Sequence, residues 1–120
     1  MKLIRELVPR MLAISGFEVD TAQDGNEAIA KYEKAYKAGK KFDIVIMDLT
    51  IPGGMGGKEA IKLLKKIDRN AKVIASSGYA NDPIMANYTK YGFSAVVAKP
   101  YGAEEMQRVI NRLLSKKKKF

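Results

Sequence analysis

The feature that most constrains the fold is an apolar run that ends in a carboxylate. Residues Ile44 to Met47 are all apolar, and Asp48 follows them directly. Such a run, without polar alternation, is typical of a strand buried on both faces of a parallel sheet. Asp48 is therefore predicted at the carboxyl end of that strand, where open α/β sheets bind their ligands. A charge placed there is costly unless it has a role. Asp48 is thus a candidate functional residue, and the alternative is an aspartate that only caps the next turn.

The remaining sequence alternates between helical and strand patterns. Residues 1–15 carry apolar side chains at helical spacing and are predicted to form an amphipathic helix with no strand before it. Alternation of this kind is typical of an α/β fold, a parallel sheet with helices on both faces. The predicted strands lie at 17–22, 42–48, 72–76 and 94–98, and the predicted helices at 1–15, 25–38, 58–67, 83–91 and 103–114.

Composition narrows the possible functions. The 120 residues suffice for one domain with a single core. The chain has no cysteine and no histidine, which excludes disulfides, thiolate metal sites, zinc chemistry and hydrolytic triads that need a histidine base. No segment resembles a membrane span or a secretory signal, so we expect a cytoplasmic protein with no membrane partner.

The chain is basic, with a net charge of +9. Four of its lysines form the run Lys116–Lys119, and no aromatic residue interleaves with them except the terminal Phe120. We interpret residues 116–120 as a solvated basic tail rather than a nucleic-acid-binding patch. Nucleic acid is therefore not an expected partner.

Three polar residues end three successive predicted strands: Asp48, Ser77 and Lys99. Singly they are weak signals, because a serine after a strand usually caps a helix and a Lys-Pro pair usually forms a turn. The carboxyl ends of neighbouring parallel strands meet at one edge of the sheet. Together the three residues would place a nucleophile, a hydroxyl donor and a cation around one point, which suits phosphoryl transfer to the carboxylate.

These motifs resemble those of the receiver domains of two-component response regulators, the CheY-like family. The resemblance rests on the segments AQDGNEAI, IVIMDLTIPGGMGG, VIASSGY and VVAKPY, and on spacings of 29 residues from Asp48 to Ser77 and 22 from Ser77 to Lys99. It covers nearly the whole chain. It implies a flavodoxin-like three-layer sandwich with strand order 2-1-3-4-5, and a phosphorelay signalling module rather than an enzyme.

The resemblance also implies a role for individual residues. Asp48 would accept a phosphoryl group from a sensor histidine kinase or a phosphotransfer protein, and Ser77 and Lys99 would contact the phosphoryl oxygens. The Thr50 backbone carbonyl and Asp48 would join the shell of a Mg²⁺ ion. The bond before Pro100 would be a cis peptide.

The sequence departs from the family pattern in two places. Val96 occupies the aromatic switch position, so we do not expect a tyrosine rotamer to relay the signal. Receivers also begin with an apolar strand that ends in two acidic, Mg²⁺-binding residues, whereas Met1–Leu7 matches the first helix. The domain is therefore expected over residues 1–115 without its first, central strand, with an incomplete Mg²⁺ site and weakened Mg²⁺ binding.

Without that strand, the edge of the 42–48 strand would be left unpaired. Two arrangements would cover it: a homodimer, which we favour, or a closed monomer with the four-stranded order 2-3-4-5.

Three functions compete on the sequence alone. The leading hypothesis is a phosphoacceptor receiver that signals by protein contact. Its rivals are a degenerate receiver that acts as a phosphorylation-independent interaction module and a basic nucleic-acid-binding protein that shares the fold.

Overall fold

Five parallel strands form a single sheet with the order β2-β1-β3-β4-β5. A computed structural model describes the chain over residues 2–5, 18–22, 25–49, 57–78, 83–98 and 102–115. The strands are β1 (Lys2–Arg5), β2 (Glu18–Thr21), β3 (Ile44–Asp48), β4 (Val73–Ser77) and β5 (Ala95–Ala98). The helices are α1 (Gly25–Lys37), α2 (Gly57–Ile67), α3 (Pro83–Ala86), α4 (Tyr88–Tyr91) and α5 (Ala103–Ser115).

The central strand β1 corrects the prediction that the sheet lacks its first strand. The sequence pattern predicts a helix over 1–15, yet residues 2–5 pair with β2 on one side and with β3 on the other, with Leu3 opposite both Val19 and Ile44. The alternative order 2-3-4-5 is therefore wrong as well. The rest of the predicted helix, residues 6–15, lies outside the described residues.

The physical reason is that short apolar segments fit a helix and a strand about equally well. An open gap between β2 and β3 would leave two rows of backbone donors and acceptors without partners. Burying such groups unpaired costs about 1–3 kcal/mol each. Pairing residues 2–5 with both neighbours satisfies these groups, so tertiary pairing overrides the helical periodicity.

The core consists of two apolar layers, one on each face of the sheet. Alternate residues of β3 belong to opposite layers, because successive side chains of a strand point to opposite faces. Val45 and Met47 pack with α1 and α2, whereas Ile44 and Ile46 pack with α5. The inner side of α5 is a stripe at helical spacing, formed by Met106, Ile110 and Leu113. The two layers confirm the predicted three-layer sandwich. Within the described residues no helix is long and apolar enough to cross a membrane.

The predicted helix over 83–91 is interrupted at Asn87. Its backbone leaves the helical conformation there, with φ −128° and ψ 45°, and asparagine is a poor helix former. Two one-turn helices result, α3 and α4. The second ends at Gly92, whose φ is 100° and whose N–H donates to the carbonyl of Thr89 at 3.1 Å.

Candidate functional site

Asp48 is the last residue of β3 and is held inside the protein. All five residues of β3 are buried, and only 6% of the Asp48 surface is exposed. The next residue is fixed to the neighbouring strand, since the N–H of Leu49 donates to the carbonyl of Ser76 at 2.8 Å. The backbone on the carboxyl side of Asp48 is thereby tied to β4. The prediction that Asp48 lies at the carboxyl end of a strand buried on both faces is confirmed.

The structure brings the end of β4 to the same edge of the sheet. Asp48 is paired with Ser76, and Ser77, the last residue of β4, is paired with Ala98 at the end of β5. Ser77 is almost fully buried, at 1% exposure. Lys99 follows Ala98 directly in the sequence, but Lys99, Thr50 and Pro100 lie outside the described residues.

Ser76 is a residue of this edge that the sequence analysis missed. The predicted strand ended at residue 76 and Ser77 was assigned to the phosphoryl group, whereas β4 runs one residue further, to Ser77. Paired residues of neighbouring strands face the same side of a sheet. Ser76 therefore shares a face with Asp48, and Ser77 belongs to the opposite face. The only sequence signal was the pair of adjacent serines, which reads equally well as the start of a loop.

The predicted switch position is part of the core. Val96 lies in β5, is half-buried and packs against the layer that also contacts Tyr88 and Tyr91. A valine has no polar end that could exchange between the interior and solvent. A rotameric relay through this position remains unexpected.

The residues described at this edge do not by themselves fit a Mg²⁺ site. Such an ion is held by oxygen ligands, commonly one or two carboxylates together with water and phosphate. The strand β1 has the sequence Lys-Leu-Ile-Arg, so it carries no acidic residue and ends in the cation Arg5. No group of three or more acidic, histidine or cysteine residues that could hold a metal occurs within the described residues. Among the described residues at the carboxyl ends of β1, β3 and β4, Asp48 is the carboxylate.

A second buried aspartate, Asp68, which the sequence analysis also missed, lies near the amino ends of the strands, opposite the end that holds Asp48. Asp68 follows α2 and precedes β4. Its carboxylate accepts hydrogen bonds from the Tyr32 hydroxyl at 2.7 Å, from Lys41 Nζ at 2.8 Å and from the N–H of Asn70 at 2.9 Å. The last of these closes a turn typical of aspartate, and the spacing from Asp68 to Asn70 was its only signal in the sequence.

These contacts determine how the two acidic groups ionise. Burial alone would raise the pKa of Asp68, but the hydrogen bonds from Lys41, Tyr32 and Asn70 outweigh it and hold the pKa below its usual range. Burial, together with the bond to Asp68, raises the pKa of the Tyr32 hydroxyl far above its usual value. Asp68 is thus a charged group with satisfied partners that joins α1, α2 and the segment before β3. It serves the fold and lies away from Asp48.

The chain matches the response regulator receiver domain over residues 1–111. It belongs to this family. The chemotaxis protein CheY of Thermotoga maritima is 32% identical to this receiver domain over 111 residues, which cover 92% of this chain and 88% of that protein.

Solved structures show the same fold. CheY from Borrelia burgdorferi, in a complex with CheX, BeF3 and Mg²⁺, superposes with a TM-score of 0.80 at 26% identity, covering 94% of this chain and 87% of that one. A response regulator receiver domain protein from Clostridium thermocellum superposes with a TM-score of 0.81 at 24% identity, covering 98% and 95%. The predicted receiver family and flavodoxin-like fold are confirmed.

Proposed function

We propose that this receiver domain accepts a phosphoryl group on Asp48 from a phosphohistidine of a histidine kinase or a phosphotransfer protein. It would act in the cytoplasm and pass the signal on by protein contact. The observation that carries the proposal is the position of Asp48, a buried carboxylate at the carboxyl end of an inner strand of a receiver sheet. The complex of the Borrelia CheY with CheX, BeF3 and Mg²⁺ supports a protein partner for a domain of this fold.

The remaining predicted residues complete the proposal. The Asp48 carboxylate would attack phosphorus, and catalysis would consist mainly of positioning and charge neutralisation. Ser77 and Lys99 would contact the transferred oxygens, and Thr50 and a cis bond before Pro100 would shape the adjoining loops. We also propose that the domain ends with α5 at Ser115, followed by the basic tail 116–120.

The first test is labelling with a small phosphodonor. Incubation with acetyl phosphate in Mg²⁺, followed by intact mass measurement, should give slow and incomplete addition of one phosphoryl group, because β1 supplies no acidic residue. The Asp48→Asn variant should take no label. Labelling that persists in Asp48→Asn would remove Asp48 as the acceptor. Rapid and complete labelling of the unchanged chain would contradict the weakened metal site.

One observation favours a second function. Since β1 ends in Arg5 and carries no acidic residue, the chain could act as a degenerate receiver, an interaction module independent of phosphorylation. Metal dependence distinguishes the two functions. A phosphoacceptor should label faster as Mg²⁺ is increased to millimolar levels and should stop when the metal is chelated, whereas a degenerate receiver should take no label at any Mg²⁺ concentration.

A further inference from the structure

The hydroxyl of Ser76 is buried without a hydrogen-bond partner. Ser76 has 0% of its surface exposed, and its Oγ is the one buried side-chain nitrogen or oxygen atom that finds no partner in the described part of the chain. Buried polar atoms in native proteins are nearly always hydrogen-bonded, and exceptions commonly mark a functional position. We therefore expect the Ser76 hydroxyl to form a hydrogen bond in some state of the protein.

Sheet geometry identifies that partner. Ser76 is paired in register with Asp48, and neighbouring strands lie about 4.7–4.9 Å apart. The two side chains share one face of the sheet, at the same height along the strands. Ser77 ends β4 one residue further along than Ser76, so it lies closer to the level of a group attached to the Asp48 carboxylate. A carboxylate has about four acceptor sites, so Asp48 accommodates one more donor in addition to its other contacts.

We propose that the Ser76 hydroxyl, after rotation about its Cα–Cβ bond, donates a hydrogen bond to the side-chain oxygen of Asp48, and that this bond shortens the lifetime of the phosphorylated state. The second half rests on the proposed function of Asp48, whereas the first half does not. Ser76 is then a hydrogen-bond donor to the reacting carboxylate, distinct in level and face from Ser77.

The chemistry of hydrolysis indicates that a Ser76 donor speeds the loss of the phosphoryl group from Asp48. In hydrolysis the oxygen of a water molecule attacks phosphorus, the bond from phosphorus to the Asp48 oxygen breaks, and its electron pair stays on that oxygen. The proton released by the water passes to inorganic phosphate or solvent. Negative charge thus grows on the Asp48 oxygen as the bond breaks. A hydrogen bond to a charged acceptor is stronger than one to a neutral acceptor, so the Ser76 donor stabilises the transition state more than the acyl phosphate.

The first experiment tests the contact without any phosphorylation. Threonine and valine have nearly the same shape, so Ser76→Thr and Ser76→Val differ mainly in the hydroxyl. Thermal unfolding of both, in the unchanged chain and in the Asp48→Ala background, forms a double-mutant cycle. The Val variant should melt below the Thr variant by roughly 4 °C or more when Asp48 is present, and the gap should shrink when Asp48 is absent. An equal gap in both backgrounds would overturn the contact.

The second experiment measures the lifetime of the phosphorylated protein after the donor is removed. Loss of the label should be about three- to ten-fold slower in Ser76→Val than in Ser76→Thr. Ser76→Ala, which adds no atoms, should be slower than the unchanged chain by a similar factor. Equal rates in Thr and Val variants would show that only packing matters and would overturn the role in lifetime. If the unchanged chain takes no label, the proposed function and the lifetime role fail together, and the double-mutant cycle still decides the contact.

Discussion

At the scale of single residues, the two buried aspartates Asp68 and Asp48 have different surroundings and different roles. Asp68 is surrounded by three donors and has a depressed pKa, so its charge is fixed and serves to join three segments. Asp48 lies at the carboxyl end of β3 and is paired in register with Ser76, whose buried hydroxyl has no hydrogen-bond partner. Neither Asp68 nor Ser76 stood out in the sequence, because their burial depends on contacts made by residues far along the chain. A carboxylate in a polar stretch and one of two adjacent serines carry no sign of that burial.

The Asp68 contacts predict how stability depends on pH. A carboxyl whose folded pKa lies below its unfolded value of about 4 contributes stability above that pH and loses it as the pH falls through the folded pKa. At pH 7, Asp68→Asn should lower the free energy of unfolding by roughly 1–3 kcal/mol. The deficit should narrow as the pH falls below about 4, the unfolded value, and through the lower folded pKa. Urea unfolding of both proteins at several pH values measures this difference.

The matched control for this prediction is Tyr32→Phe. It removes one donor and leaves the contacts of Asp68 with Lys41 and Asn70 intact. Its loss of stability at pH 7 should be smaller than that of Asp68→Asn. A deficit of Asp68→Asn that is constant across the whole pH range would show that the charge of Asp68 contributes nothing.

At the scale of helices and strands, the sequence predicts those elements whose burial imposes a periodic pattern of apolar residues. The apolar run before Asp48 and the stripe of α5 appear where they were expected, because full burial and a helical face each impose a period that the sequence displays. β1 could not be predicted in this way. Its four residues fit a helical stripe as well as a strand, and only the open positions beside β2 and β3 decide between them. The break at Asn87 likewise has no strong local signal.

The end of α4 provides a test at this scale. Gly92 has φ 100°, and a Cβ added there would come within 3.4 Å of the Ile61 side chain. Gly92→Ala should therefore lower the free energy of unfolding by about 1–2 kcal/mol, mainly through backbone strain. Two glycines serve as controls: Gly39, with φ 77° and open space around it, and Gly102, which has open space and no positive φ.

Chemical denaturation of the three alanine variants separates strain from contact. Gly39→Ala should lose nearly as much stability as Gly92→Ala if positive φ is the cause, and Gly102→Ala should change little. A large loss in Gly92→Ala together with no loss in Gly39→Ala would assign the effect to the contact with Ile61 instead.

At the scale of the whole molecule, one chain supplies all five strands of the sheet, including the central strand β1. The Cα radius of gyration is 13.2 Å, close to the roughly 13.6 Å expected of a compact 120-residue domain. The expectation of a homodimer depended on an open edge of β3, and β1 covers that edge within one chain. A net charge of +9 also opposes self-association. We therefore expect a monomer whose partners are other proteins.

This expectation leads to a prediction about β1 itself. The unchanged chain should sediment as a monomer at micromolar concentration, with the scattering profile of a compact domain. A variant that lacks residues 1–5 should expose the edges of β2 and β3, which offer a template for pairing with another chain. It should therefore associate or precipitate under the same conditions and should lose protection of the β3 amides in hydrogen exchange. If the variant stays monomeric with β3 still protected, then β1 is dispensable and the β3 edge is covered by some other pairing. A stable dimer of the unchanged chain would contradict the expected monomer.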